Sequence, residues 1–315
     1  MALLKQALAI AEEHDLPDAR LRALFNLADD HLHRDRYAGA LAYDLANLEL
    51  AERMGLHNDI VLAKVHLVFD NWLLGRWDEV RRLREETPLP ERAQDDPALL
   101  LLHTAGAVPA VEQGSIEEAA DLVELYRTIH DPTELQDRVF MGVSSGTVLR
   151  GQGRLEEALE AFQYAIDCRT GVGVTRVGRA LVEAVDIAID LGRHDLVDEL
   201  LAIVEAAHPS DVAAFLEGEV LRIRGRLAAR AGDVEAADSL FRQARGVLSE
   251  IENPFRLAIA HLEHAEMLVA AGRSDEAARL LAEAREIFER LEARPWLERV
   301  DAASRSQASA GVVPA

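Results

Sequence analysis

A chain of 315 residues with 49% apolar and 29% charged residues and a formal net charge of −22 has the balance of a soluble globular protein. An acid surplus of that size repels nucleic acid and anionic lipid, and no apolar run approaches the roughly 20 residues of a membrane helix. Cys168 is the only cysteine, which excludes an internal disulfide and a cysteine-based zinc site and fits a reducing, cytoplasmic setting.

In chain order, residues 1–14 come first, with Leu4, Leu8 and Ala11 at helical spacing and no signal-peptide cleavage pattern. A short pattern then recurs: DRYAGA from Asp35, GRWDEV from Gly75, GSIEEA from Gly114, GRLEEA from Gly153, GRHDLV from Gly192, GDVEAA from Gly232 and GRSDEA from Gly272. Successive starts lie 40, 39, 39, 39, 40 and 40 residues apart, the signature of a solenoid. Around Gly153 the reason for the order is visible. TELQDRVFMGVSSGTVLR precedes it with apolar residues at helical spacing, and Ala158, Leu159, Phe162, Ala165 and Ile166 follow as one apolar stripe. A Gly between them supplies the left-handed residue that ends a helix, and Glu156 and Glu157 complement the dipole of the next one.

Seven helical hairpins are thereby predicted over 21–291. Asp96-Pro97, Asp131-Pro132, Pro209-Ser210 and Asn253-Pro254 mark the starts of first helices. Residues 294–303, with Trp296, Leu297 and Val300, predict a capping helix, and the Ala/Ser-rich 304–315 a disordered tail. The whole is expected to be one all-α solenoid over 1–300, with a half repeat at each end.

The hairpin pattern resembles the tetratricopeptide repeat. That family places a small residue in the first helix, Gly at the turn and Ala at the contact in the second. The first-helix positions here are Ala28, Val68, Ala107, Gly146, Val185, Gly225 and Ala265; their partners are Ala40, Val80, Ala119, Ala158, Val197, Ala237 and Ala277. The resemblance implies a right-handed α-solenoid whose first helices line a concave groove. The long period is similar to the MalT-like repeat regions of large bacterial signalling ATPases and regulators. No phosphate loop or cyclase metal-binding pair is present in this sequence, so neither activity is carried over. Residues 1–14 read as the second helix of a repeat whose first helix is missing. The chain is therefore expected to be the repeat region of a larger signalling protein, with an upstream ATPase domain as a partner, or else a free-standing adaptor or peptide-sensing protein. The open N-terminal end predicts self-association, and Val pairs should hold their helices farther apart than Gly–Ala pairs.

Candidate chemistry is sparse. TGVGVTRVG (170–178) lacks the last Gly of a dinucleotide loop and reads as an inter-repeat connection. His261 and His264, three apart, offer only part of a metal shell and read as packing residues. His31 and His33 read as surface residues, and Ser144 has no His–acid partner in a recognisable motif. Arg222, Arg226 and Arg230 form a basic stripe on one first helix, flanked by Glu183, Asp186 and Asp190 on one side and Glu263 and Glu266 on the other. Two readings follow: a ladder of inter-repeat ion pairs, or a groove site for an acidic peptide or phosphorylated ligand. The function expected is non-enzymatic peptide or protein binding, without metal or cofactor, with an enzyme of unrecognised site as the distant alternative.

Overall fold

The structure, a computed structural model, describes residues 1–90, 96–130 and 132–310. Among them the secondary structure is helical: α1 (Ala2–Glu13), α2 (Pro17–Leu32), α3 (Tyr37–Met54), α4 (His57–Leu73), α5 (Trp77–Glu85), α6 (Pro97–Glu112), α7 (Ile116–Ile129), α8 (Leu135–Gly151), α9 (Leu155–Ile166), α10 (Arg169–Val172), α11 (Val174–Asp190), α12 (His194–Glu205), α13 (Ala214–Arg230), α14 (Val234–Glu250), α15 (Pro254–Ala270), α16 (Ser274–Arg290) and α17 (Arg294–Ala310). The hairpins are α2/α3, α4/α5, α6/α7, α8/α9, α11/α12, α13/α14 and α15/α16, with α1 before and α17 after them.

Every hairpin turns on a left-handed residue at the position the recurring pattern marks. Asp35 has φ 55°, and Gly75, Gly114, Gly153, Gly192, Gly232 and Gly272 have φ between 66° and 95°. The turn closes by bonds such as Arg154 N to the Leu149 carbonyl and Arg273 N to the Leu268 carbonyl, both 2.9 Å, which satisfy the last carbonyls of the first helix. Asp96 and Asn253 cap as expected, accepting from Leu99 N at 3.1 Å and Arg256 N at 3.2 Å. Pro209 instead opens a 3-10 turn, Pro209–Asp211, ahead of α13, with His208 accepting from Ser210 N. Asp131 lies outside the described residues.

Backbone contacts group the chain into two compact units, Met1–Pro109 with Glu117–Asp131, and Ala110–Ile116 with Pro132–Ala315. The run of hairpins expected over 21–291 is thus divided within α6, next to Pro109, whose missing N–H removes a rung of that helix. In the first unit, α1 lies on α2; Leu8 joins a core of Leu21, Leu24, Leu50 and Ala51, while Leu3 and Ile10 stay exposed. His31, expected at the surface, packs its ring against Gly39 and edge-on to Tyr43.

The predicted contact positions are interior throughout: none of the Ala and Val members is more than 2% exposed, and Gly146 and Gly225 are buried. Side-chain size sets how closely the helices run. A Cβ on Gly142 would lie 2.7 Å from the Ala161 carbonyl oxygen, and one on Gly146 2.6 Å from Phe162. The pairs α8/α9 and α11/α12 have equal lengths, 17 and 12 residues. Yet α8 and α9 run close together over far more of their length than α11 and α12, which carry Val185 and Val197. A crevice of about 400 Å³ lined by Leu159, Ala184, Leu196 and Leu200 opens beside α12.

At the C-terminal end the structure corrects the sequence reading. Helix α17 continues to Ala310, past the 304 at which a disordered tail was expected. Its continuation is held: Ala303 is buried, and Gln307 Nε2 donates to the Ser274 carbonyl at 2.7 Å. Residues 311–315 of the expected tail lie outside the described residues.

Candidate functional site

The second unit places its charge on first helices. Residues spaced by about one helical turn on α11, α13 and α15 share a face, so the basic stripe of α13 is met from both sides. Arg222 is fully buried and donates from Nε to Glu219 at 2.7 Å, from Nη1 to Glu263 at 2.7 Å and from Nη2 to Asp186 at 2.6 Å. Arg226, 14% exposed, donates to Asp186 at 2.6 Å and Asp190 at 2.8 Å, with Glu263 3.6 Å from its Nε. Arg230, 48% exposed, donates to the Ile189 carbonyl at 2.6 Å and stands 3.7 Å from Asp190. Exposure therefore rises along the stripe, from sealed floor to open rim.

Two of the flanking acids go elsewhere than expected. Glu183 faces Arg256 and Arg150, each at 3.1 Å, and Glu266 takes a bidentate pair from Arg299 at 2.8 and 2.6 Å. Both lie on helices that flank α13, Glu183 on α11 and Glu266 on α15, but neither touches the stripe. Asp186, Asp190 and Glu263 do.

The network extends past the predicted set. Arg256 donates twice to Glu219 at 2.7 Å. Arg150 donates to Glu112 at 2.5 Å, and Arg179 stands 4.0 Å from the same carboxylate. Glu112 also accepts from Trp296 Nε1 at 3.0 Å, while Gln113 donates to the Leu291 carbonyl at 2.9 Å. The end of α6 thereby meets the start of α17. Arg150, Arg179, Arg222, Arg226, Arg230, Arg256 and Arg299 face Glu112, Glu183, Asp186, Asp190, Glu219, Glu263 and Glu266: seven cations and seven anions, a locally neutral network in an acidic chain.

Burial alone would raise the carboxyls, but the guanidinium groups win. Arg222, Arg226 and Arg256 hold Asp186 far below its ordinary value, and Arg222 with Arg256 lowers Glu219. Arg150, Arg256 and Arg179 lower Glu183. Arg222 in turn is raised by Asp186, Glu219 and Glu263 against its burial. Arg179 is the exception, pushed down to about 10 by burial that Glu183 and Glu112 do not fully offset.

The alternating sign was legible, since Asp186, Arg226 and Glu266 stand at equivalent positions one period apart. Arg256 was not, because it sits in the first turn of α15, out of register with the stripe. A second buried polar cluster, in the first unit, gave no signal either. Asp44 on α3 and Asp70 on α4 are 2% and 1% exposed, with His66 Nδ1 3.3 Å from Asp44. Burial, then the neighbouring Asp44 carboxyl, pushes Asp70 up to about 9.

The other candidates are packing residues. His264 Nε2 contacts Asp238 at 2.7 Å and His261 Nδ1 lies 3.1 Å from Glu283. Ser144 is buried, and 170–178 forms α10, a Gly173 turn with φ 88° and the start of α11. Among the described residues no group of three or more His, Cys, Asp or Glu is arranged to hold a metal ion. No described helix is long and apolar enough to cross a membrane.

These hairpins, with their left-handed turns and small-residue contacts, define an all-α tetratricopeptide-like helical repeat. No protein-family model matches the chain, and no curated protein matches it. Among solved structures it is similar to the crystal structure of Rap protein complexed with competence and sporulation factor. The two share a TM-score of 0.66 at 14% sequence identity, covering 89% of this chain and 79% of that one.

Proposed function

We propose that this chain is a peptide-sensing regulator of the tetratricopeptide type, acting by binding and not by catalysis. The observation that carries the reading is the graded network on the first helices. Its floor is internally neutralised, so it fixes the relative positions of α11, α13 and α15 and needs no ligand to do so. Its rim, Arg230, Asp190, Glu266 and Arg299, is between 34% and 56% exposed and presents donors and acceptors in fixed order. An extended peptide with a mixed-charge sequence has the partners to lie along such a rim. The likeness to a Rap protein complexed with a factor supports the peptide-sensing reading over that of a repeat region in a larger ATPase.

The test is selection of a random heptapeptide library against the full chain, followed by calorimetry on the enriched sequences. Enriched peptides should carry an acidic residue, bind more weakly as ionic strength rises, and lose at least tenfold affinity to Arg230→Ala with melting unchanged. No enrichment, or equal binding by Arg230→Ala and Asp190→Ala, would overturn the proposal.

A further inference from the structure

A different crevice lies on the second helices, between α14 and α16 with α15 as its floor. It holds about 190 Å³ and is lined by Arg242, Arg245, Arg279, His264 and Glu276 among others. The charged side chains nearest the crevice pair with one another. Asp238 accepts from Arg242 at 3.0 Å, Arg273 at 3.1 Å and His264 at 2.7 Å. Glu276 takes Arg273 at 2.6 Å and lies 3.7 Å from Arg242. Glu283 takes Arg279 at 2.9 Å and stands 3.1 Å from His261.

Arg245 is left over. Its one polar contact is with His261 Nδ1 at 3.4 Å, and its Nε is buried without a hydrogen-bond partner. Burial lowers its guanidinium below the ordinary value. The histidines add no charge: burial, with Arg245 nearby, lowers both to about 4, so both are neutral at pH 7. Arg242, Arg245, Arg273 and Arg279 thus stand against Asp238, Glu276 and Glu283, four cations to three anions. Among the residues that line the crevice, Arg242, Arg245 and Arg279 outnumber the one acid, Glu276, in a chain of net charge −22. A half-buried arginine that faces a cavity, hydrogen-bonds no carboxylate and keeps a buried Nε unpaired leaves room for an anion.

We propose that this crevice binds a phosphoryl oxyanion, free phosphate or a phosphate monoester, held by Arg242, Arg245 and Arg279. Three guanidinium groups converging on a cavity of this size suit a compact tetrahedral anion with several acceptor oxygens. A nucleotide is too large for it. Because these residues belong to the second helices, the site is independent of the rim assigned to peptide.

The experiment is calorimetry and thermal melting of the full chain with inorganic phosphate, O-phosphoserine and acetate, each at matched ionic strength. Phosphate or phosphoserine should saturate one site and raise the melting temperature, the tighter of the two identifying the source. Arg279→Gln, at an 82% exposed side chain, should fold normally and bind at least tenfold more weakly. Arg245→Gln should abolish binding while melting at or above the wild-type temperature, because it removes a desolvated charge. Acetate binding as tightly as phosphate, no saturable binding, or undiminished binding by both variants would overturn the assignment.

Discussion

Replacing Arg222 with Met tests the floor of the charge network most directly. Met fills similar space but removes three charge-assisted bonds, to Glu219, Glu263 and Asp186 at 2.6–2.7 Å, from a residue with no solvent exposure. Taken singly, such bonds contribute about 1.5–3 kcal/mol each. The sum overstates the loss, because each acid keeps another cation. Asp186 keeps Arg226, Glu219 keeps Arg256, and Glu263 keeps Arg226 and Arg299 at 3.6 Å. The expected cost is the roughly 3–5 kcal/mol of removing one partner from a buried ion cluster. Arg230→Met, at the half-exposed end of the same stripe, should cost under about 1 kcal/mol. The pH response should separate an electrostatic loss from a packing loss. In the wild type Asp186, Glu183 and Glu219 are held below their ordinary values, so the stability they bring is present above pH ~4 and lost as pH falls below that. In Arg222→Met the buried cluster carries a surplus negative charge, and uptake of a proton between pH 7 and 5 relieves it. Urea titrations followed by circular dichroism, with hydrogen exchange across α11–α15, should show the variant gaining stability toward pH 5 while the wild type does not. A variant within about 1 kcal/mol of wild type at pH 7, with the same pH slope, would refute the reasoning.

Asp70→Asn should stabilise the protein at neutral pH. The folded-state value of about 9 lies above the ordinary 3.8, so the native state's advantage is full below pH ~4 and shrinks as pH rises toward 9; the cost at pH 7 is up to about 4 kcal/mol. Melting at pH 5, 7 and 9 should show a flatter profile in the variant, and an unchanged slope would count against the buried acid pair. Gly142→Ala should cost about 1–3 kcal/mol by thermal melting, because its new methyl group meets the Ala161 carbonyl oxygen; a neutral result would mean that α8 and α9 are free to separate. Leu3 and Ile10 leave apolar surface on α1, 80% and 46% exposed, which should drive concentration-dependent association. Light scattering should find this reduced in Leu3→Glu/Ile10→Glu, and a strict monomer in the parent chain would dismiss it.

The repeat was readable because hairpin geometry is local. A left-handed residue, an acid in the next turn and a small residue at the contact each act within a few residues, so the pattern at Gly153 and its equivalents carried the fold. The Arg222 stripe was readable for the same reason, as a spacing of four on one helix. Its partners were only half readable. Asp186 follows from the period, but the choice of Glu263 over Glu266 for the stripe, of Arg299 for Glu266 and of Arg256 for Glu183 depends on how successive hairpins rotate, which no local pattern specifies. Asp44 and Asp70 escaped notice because acids read as solvent-facing unless the burial around them is known. The Ser304–Gln307 stretch was mistaken for a tail on composition, whereas a single side-chain bond to the Ser274 carbonyl and a buried Ala303 anchor it.

In an ordinary stack of hairpins each unit leans only on its neighbours, and the array can peel from an end, one repeat at a time. The second unit is wired otherwise. Arg256 of α15 reaches Glu183 of α11, two hairpins away, and Trp296 of α17 is tied through Glu112 to Arg150 of α8. Detaching α17 exposes a carboxylate whose loss of partners is felt at the opposite end of the unit. Fraying is thereby penalised at its first step, and 110–116 with 132–310 should denature in one sharp transition where an open solenoid of the same hairpins would melt gradually.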